Sequence, residues 1–156
     1  MGEALEAVKK IELKIESKVK ELILILCQSG VDLASEKVML YDAIETGDLD
    51  SSIYYGISED GYSGFIRADS DHAIYVEFGT GTCTTRGEYA THPLASKFKY
   101  RYDINGHGAN GWFYFDKNRE QVRWTKGMKS RPFMYQTALD LEDSIEKLSK
   151  GVFESD

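Results

Sequence analysis

The chain has 156 residues and a formal net charge of −7, with 42% hydrophobic and 29% charged residues and only two prolines. This length is enough for one domain with its own core, and the composition excludes a disordered, fibrous or disulfide-stapled protein. The net negative charge argues against wrapping of duplex DNA, because such binding depends on neutralising phosphates.

The charge is unevenly distributed along the chain. Residues 1–50 carry six Lys/Arg and eleven Asp/Glu, a balance of −5, whereas residues 97–131 carry nine basic and three acidic residues, a balance of +6. A solvated basic face explains the second stretch most simply, and contact with an acidic partner is the alternative.

Cysteine usage and hydropathy predict a soluble protein with reduced thiols. Cys27 lies in an apolar stretch and is expected to be a small buried hydrophobe, and no CxxC pair joins it to Cys83. The first ten residues include four charged side chains, so no signal peptide is expected. The longest apolar run, 22–27, is too short for a membrane span.

Residues 3–28 are predicted to form a long amphipathic helix. Its apolar side chains recur with a period near 3.5 and therefore share one face: Leu5, Val8, Ile15, Val19, Leu22 and Leu26. Glu12 interrupts this stripe, and Ser29-Gly30 is expected to end the helix. A helix of about 26 residues is roughly 39 Å long. Both packing on the chain's own sheet and contact with a neighbouring copy are consistent with the stripe.

The next segments predict a short helix followed by strands. Residues 35–44 are expected to form the second helix. Segments 52–58 and 62–69, rich in Ile, Tyr and Phe, predict two strands joined by a Glu-Asp-Gly turn. A third apolar segment covers residues 73–78.

The central and C-terminal parts predict a loop, a hairpin and a helix. Residues 79–110 are expected to form a long flexible loop that contains one possible strand at 97–104. Residues 112–115 and 121–125 predict a hairpin, and a final helix is expected from Pro132 to about Lys150. The order predicts an α+β domain over residues 1–156. It combines a long N-terminal helix, a short second helix, an antiparallel sheet of about four or five strands, and a C-terminal helix packed on that sheet.

The chain contains partial matches to catalytic and metal-binding motifs, but the spacing of the required residues does not fit any of them. Residues 79–84 lack the final glycine of a dinucleotide fingerprint, and residues 61–65 lack that of a nucleophile elbow. His72, His92 and His107 do not form a metal-binding pattern with each other or with nearby carboxylates. We therefore predict no enzymatic activity, no metal and no cofactor.

Three segments, in order, carry motifs that resemble a phage protein family. Residues 46–53 match Thr-Gly-x-Leu-x-x-Ser-Ile, residues 75–81 contain Glu-Phe-Gly-Thr after a tyrosine, and residues 127–138 contain Gly-x-x-x-Arg-Pro-Phe. Shorter fragments lie at 91–94 and 111–114. This set is similar to the tail-component family of long-tailed siphophages and prophages, whose members serve as tail-completion or head–tail joining proteins.

The resemblance makes its motif residues candidates for interfaces or for maintenance of the fold: Thr46, Gly47, Leu49, Ser52, Ile53, Tyr75, Glu77, Phe78, Gly79, Thr80, Gly81, Arg131, Pro132 and Phe133. The three glycines are expected to adopt backbone conformations closed to other residues. The leucine, isoleucine, tyrosine and phenylalanines are expected to be apolar anchors between the sheet and its helices. Glu77 is a charge among apolar neighbours and needs a partner. We expect Arg131 to be that partner, within the subunit or across an interface.

The resemblance implies a structural morphogenesis protein that completes the tail and joins it to the head connector. Its expected partners are further copies in a ring of roughly six or more subunits, together with tail-tube or terminator proteins and head-connector proteins. No membrane and no specific nucleic acid are expected. Its expected location is the tail or neck of the virion, after assembly in the bacterial cytoplasm.

Two expectations concern behaviour in solution and in assembly. The purified protein should be monomeric or weakly associated. The loop at 79–110 should become ordered on docking to the tail tube or connector. Shortening residues 80–92 should leave the fold intact and abolish head–tail joining.

Two other functions are weighed against this one. A nucleic-acid-binding module would use the basic stretch 97–131 with aromatic stacking surfaces at Tyr100, Tyr102, Trp112, Phe113 and Trp124. Alternation on strands explains these aromatics more simply, as core residues and cross-strand pairs. A small enzyme would require a pocket with converging polar groups, which the sequence does not indicate.

Overall fold

The computed structural model describes residues 2–43, 47–86, 89–101, 110–116 and 119–155, with side chains omitted at 85–86. The fold is α+β, as predicted, with two long helices and three small hairpins. Its elements in chain order are α1 (Gly2–Leu40), α2 (Asp48–Ser51), β1 (Ile53–Ile57), β2 (Gly64–Ala68), α3 (Ala73–Phe78), a 3₁₀ turn (Gly81–Thr84), β3 (Thr85–Arg86), β4 (Tyr89–Ala90), β5 (Trp112–Asp116), β6 (Gln121–Thr125) and α4 (Phe133–Glu154).

Helix α1 is a single helix of 39 residues, so the predicted end at Ser29-Gly30 and the separate helix at 35–44 are wrong. Gly30 is buried where α1 meets β2 and α4, and a Cβ there would collide with Ile66 and lie 2.9 Å from Leu141. The glycine therefore serves close packing inside the helix rather than its termination.

Helix α4 lies antiparallel to α1 and packs mainly on it, which corrects the expected packing on a sheet. Near one end, the Lys37 ammonium lies 2.6 Å from the Asp140 carboxylate. At the other end, the Lys18 ammonium donates to the carbonyl oxygens of Val152 and Ser155, both at 2.7 Å. Helix α4 ends at Glu154, so it continues through Gly151, beyond the predicted end at about Lys150.

The described strands pair only in twos, β1 with β2, β3 with β4 and β5 with β6, so the expected sheet of four or five strands is wrong. The hairpins predicted around 59–61 and across 112–125 are both present. The apolar segment 73–78 is a helix and does not extend the first sheet. Segment 97–101 forms no strand either, and residues 102–104 lie outside the described residues.

The main core lies between α1, β1, α3 and the start of α4. It is formed by residues from across the chain: Ala34, Val38, Leu49, Ile53, Val76 and Phe133. Cys27 is buried as predicted, against Gly64 of β2, and burial raises the pKa of its thiol. Neither long helix of the described chain has an apolar stretch sufficient to cross a membrane.

Candidate functional site

The Glu77 carboxylate is buried at the N-terminal end of α4, with 8% of the residue exposed. One carboxylate oxygen accepts hydrogen bonds from His92 Nε2 at 2.9 Å and from the Tyr135 backbone N–H at 3.0 Å. The other accepts from the Met134 backbone N–H at 2.9 Å. The hydroxyl of Ser130 donates to the Glu77 carbonyl oxygen at 2.6 Å. We call this group of five residues the Glu77 junction.

The junction supplies the cap that α4 does not have in its own sequence. The first N–H groups of any α-helix lack partners within the helix, and this end carries partial positive charge. Pro132 occupies the N-cap position and makes no side-chain cap hydrogen bond. Glu77 therefore satisfies two free N–H groups with a charge of the favourable sign.

His92 is held in one tautomer and has no nitrogen left for other chemistry. Its Nδ1 accepts a hydrogen bond from the Leu94 backbone N–H at 3.0 Å, so the proton lies on Nε2, which donates to Glu77. Its side chain is 1% exposed and lies against the Phe78 ring, with centroids 4.3 Å apart. The pair therefore lacks the free base of a catalytic dyad.

Glu77 has partners other than the predicted Arg131. Arg131 uses its backbone N–H, which donates to the Val76 carbonyl oxygen at 2.8 Å. Within the described chain Arg131 makes no ion pair with Glu77, whose carboxylate oxygens accept from His92 and from the first turn of α4. A pairing of Arg131 across an interface stays a prediction.

The second and third motif segments run side by side next to the junction. The Thr80 N–H donates to the Met128 carbonyl oxygen at 2.9 Å, and the Met128 N–H donates to Thr80 Oγ1 at 3.1 Å. Gly79 has φ 76° and ψ 177°, and a Cβ there would lie 2.6 Å from the Ser130 nitrogen. Gly127 has φ 100°, and a Cβ there would collide with the Thr80 carbonyl. The two glycines let the segments approach closely.

The first motif segment joins the same core. Leu49 and Ile53 are buried beside Val76 and Phe133, as expected of apolar anchors. Ser52 Oγ donates to the Leu49 carbonyl oxygen at 2.7 Å, after the single turn of α2. Thr46 lies outside the described residues.

The remaining motif residues divide between buried and exposed positions. Gly47 and Gly81 both have positive φ, at 78° and 62°. Phe78 is half-buried and stacks on Tyr100, with ring centroids 4.7 Å apart. Tyr75 is 36% exposed, so its expected role as a core anchor is wrong: the buried residues of α3 are Val76 and Glu77.

The described part of the predicted loop 79–110 is packed onto the junction. Ala95 is fully buried, and the Tyr100 hydroxyl donates to the Gly79 carbonyl oxygen at 2.9 Å. Thr84 is also fully buried, and His92 completes the cap of α4. Shortening residues 80–92 would remove Thr84 and His92, so we expect it to destabilise the fold, contrary to the expectation from the sequence.

Tyr100 gives this packing a pH dependence. Burial raises its pKa to about 12 from the ordinary value of 10. Because the folded-state pKa is the higher one, its stabilising contribution is complete below pH 10 and is lost as the pH rises toward 12. Replacing Tyr100 by Phe keeps the ring and should cost about 0.5–1.5 kcal/mol at neutral pH.

The measurement is the free energy of unfolding of both proteins at several pH values. The difference between wild type and Y100F should shrink across the interval from 10 to 12. A difference that stays constant there would mean that the Tyr100 hydroxyl is not buried as described.

The described residues contain no group of three His, Cys, Asp or Glu side chains arranged to hold a metal ion, and His107 lies outside them. Within the described residues, both Glu77 carboxylate oxygens and both His92 ring nitrogens have hydrogen-bond partners. No family model, curated protein or solved structure matches this chain.

His92 was not identified from the sequence as a partner of Glu77. The signal that could have pointed to it is its place in the Thr-His-Pro-Leu fragment at residues 91–94.

Proposed function

We propose that this chain is a structural morphogenesis protein of a tailed bacteriophage or prophage, which completes the tail and joins it to the head connector. It acts without catalysis, as a building block whose copies contact one another and the neighbouring rings. The proposal starts from the motif set at residues 46–53, 75–81 and 127–138.

One observation carries this proposal: the three motif segments, far apart in the chain, meet in one place. Leu49, Ile53, Val76 and Phe133 share the main core, one or more from each segment. Backbone hydrogen bonds tie Thr80 to Met128 and Val76 to Arg131. Motif residues that determine a common fold are expected to converge in this way, whereas chance matches would be scattered. The set therefore behaves as the framework of one fold.

The chemistry of the convergent residues also favours a scaffold. Glu77 and His92 use their polar atoms on each other and on backbone groups. Catalytic carboxylates and imidazoles need a free atom directed at substrate. The uneven charge, acidic over 1–50 and basic over 97–131, suits contacts between adjacent copies, because complementary patches fix register and partner choice.

Deletion of the gene from the phage or prophage that carries it tests the proposal. Induced lysates should then contain filled heads and finished tail tubes that are not joined, visible by negative-stain electron microscopy. Supplying the gene in trans should restore joined particles, while a Glu77→Ala copy should not. Normally joined particles from the deletion strain would refute the proposal. Portal and capsid genes upstream and a tail-tube gene downstream would support it before any experiment.

A nucleic-acid-binding module remains the second candidate, because two of its stacking residues are exposed. Phe113 and Trp124 lie opposite each other on β5 and β6 with their rings open to solvent. Tyr100, however, is buried against Phe78, and Tyr102 lies outside the described residues. Binding of single-stranded DNA that weakens steeply with salt would favour this candidate.

A further inference from the structure

One face of the β5–β6 hairpin is apolar and uncovered. In antiparallel strands, directly opposite residues point to the same face. The pairs Phe113↔Trp124 and Phe115↔Val122 therefore form one face, and each of these residues is between 49% and 73% exposed. We call this the hairpin face. An isolated two-stranded sheet is only marginally stable in water, and exposed apolar patches mark interaction sites.

The base of the same hairpin contacts the body of the protein. Trp112 is half-buried and lies close to Gly81, and the Thr82 N–H donates to the Lys126 carbonyl oxygen at 3.0 Å. On the face opposite the hairpin face, Asp116 is buried and pairs with Arg123 of the same hairpin at 3.4 Å. The hairpin is thus held at its base while its apolar face remains open.

The first part of α1 forms a second uncovered surface. Every residue from Gly2 to Ile15 is exposed, and we call this segment the arm. Leu5, Val8 and Ile15 lie on its apolar stripe and are between 51% and 60% exposed. Among the contacts of the described residues, those of Lys18 with the last turn of α4 lie nearest to Ile15, and the arm extends about 20 Å along α1 from there.

The arm and the hairpin face lie at opposite ends of the molecule. The arm extends beyond the C-terminal end of α4, as the bonds from Lys18 to Val152 and Ser155 require. The hairpin is anchored at the N-terminal end of α4, where Gly81 and Gly127 adjoin the Glu77 junction. Because α4 is about 33 Å long and α1 is continuous, the arm cannot reach the hairpin of its own chain.

The two surfaces match in length, and each carries a charge of opposite sign beside its apolar side chains. From Leu5 to Ile15 the stripe is about 15 Å long, and a five-residue strand is about 16 Å long. Glu12 is the acidic residue that interrupts the stripe. The Lys126 ammonium lies over the Trp124 ring, 5.6 Å from its centroid, and so places a cation beside the hairpin face.

We infer that the arm of one copy docks on the hairpin face of the next copy, with Glu12 directed toward Lys126. Each copy offers one arm and one hairpin face, so the contact is head-to-tail and propagates around a ring. The contact area of a single arm is small compared with a standard interface of about 800 Å² per partner. Two free copies therefore associate weakly, and closure of the ring strengthens the assembly.

Pairing of two arms with each other fits less well. The arm spans about two heptads, whereas a coiled coil is sustained over three or four. In a parallel pair, the two Glu12 carboxylates would also face each other across the seam. A nucleic acid is a poorer occupant as well, because Arg123 is paired with Asp116 on the far side of the hairpin and the chain carries a net charge of −7.

The test uses two variants of exposed positions in the full-length protein. The arm variant carries Leu5→Ser and Val8→Ser, and the hairpin variant carries Phe113→Thr and Val122→Thr. Sedimentation at rising concentration should show self-association of the wild type, weakened about a hundredfold or more in each variant. An equimolar mixture of the two variants should form one-to-one dimers and nothing larger, because one intact arm then meets one intact hairpin face.

A charge-reversal pair gives an independent readout. Glu12→Lys should weaken wild-type association about fivefold, and adding Lys126→Glu in the same chain should restore it. Unfolding curves for all variants check that the fold is retained.

Several outcomes would overturn the inference. The first two are a mixture of variants that stays monomeric and a hairpin variant that associates as strongly as the wild type. The others are a wild type that stays monomeric at about millimolar concentration and tight binding of oligo(dT) that buries Trp124. The inference rests on the proposed function, because the assembly role is what brings copies of the chain together. Its test uses pure protein, so the two proposals can fail separately. If the deletion strain gives unjoined particles but the mixture of the arm and hairpin variants forms no dimers, the assembly role stands and the arm–hairpin contact is refuted.

Discussion

Replacing Glu77 by Ala should lower the free energy of unfolding by about 3–5 kcal/mol, a large part of the stability of a domain of this size. The change removes the acceptor for three hydrogen bonds, from His92 and from the backbone N–H groups of Met134 and Tyr135. The buried His92 N–H and the two partly buried backbone N–H groups then lose their acceptor. Glu77→Gln keeps the shape but directs an NH₂ group at one of these donors, so it should cost about 1–3 kcal/mol.

Urea unfolding followed by circular dichroism measures this effect. Glu146→Gln is the matched control, because Glu146 is an exposed carboxylate on α4 that pairs with Lys150. Its cost should remain within about 0.5 kcal/mol. If Glu77→Ala cost no more than this control, the carboxylate would not be capping the helix.

Replacing Gly79 by Ala should cost about 2–4 kcal/mol, from strain and collision together. The φ of 76° and ψ of 177° lie in a region that is essentially restricted to glycine. A methyl group there would also lie 2.6 Å from the Ser130 nitrogen and 2.7 Å from the Met128 carbonyl oxygen. Both are backbone atoms that hold the two motif segments together, so they cannot move aside cheaply.

Gly151→Ala provides a control with the opposite sign. Gly151 lies inside α4, and nothing lies within 4 Å of a Cβ added there. Alanine is the better helix former, so this substitution should stabilise the protein by about 0.5–1 kcal/mol. Equal thermal shifts for Gly79→Ala and Gly151→Ala would contradict the packing of segment 79–82 against 126–131.

Elements specified by local patterns were predictable, and those decided by distant contacts were not. The hairpins follow from alternating Ile, Tyr and Phe around turn residues, and the start of α1 follows from its apolar period. Gly30 illustrates the limit. A glycine after an apolar helical run is typical of a helix end, but here it is needed for contact with Ile66 and Leu141, which are distant in the chain.

The sequence indicated some residues of the Glu77 junction and its surroundings and missed others. The sequence singled out Glu77 as a charge that needs a partner. It also placed Gly79 and Phe133 among the motif residues that are candidates for interfaces or for maintenance of the fold. Two of the partners of Glu77 are backbone N–H groups, which no side-chain pattern reveals. The third, His92, is 15 residues away in a stretch without periodicity. One clue was present: Pro132 begins α4 where Ser, Thr, Asp or Asn would normally provide the cap.

Both ends of helix α4 are hydrogen-bonded to residues that are distant from it in the sequence. Its first turn binds Glu77, 57 residues before Met134, and its last turn binds Lys18, 134 residues before Val152. Each of these contacts closes a large loop, whose entropic cost must be met before the contact forms. During synthesis the part of α1 that packs on α4 therefore stays uncovered until residues 133–154 leave the ribosome. Folding should then be concerted, with the amides of α1 and α4 gaining protection from hydrogen exchange together.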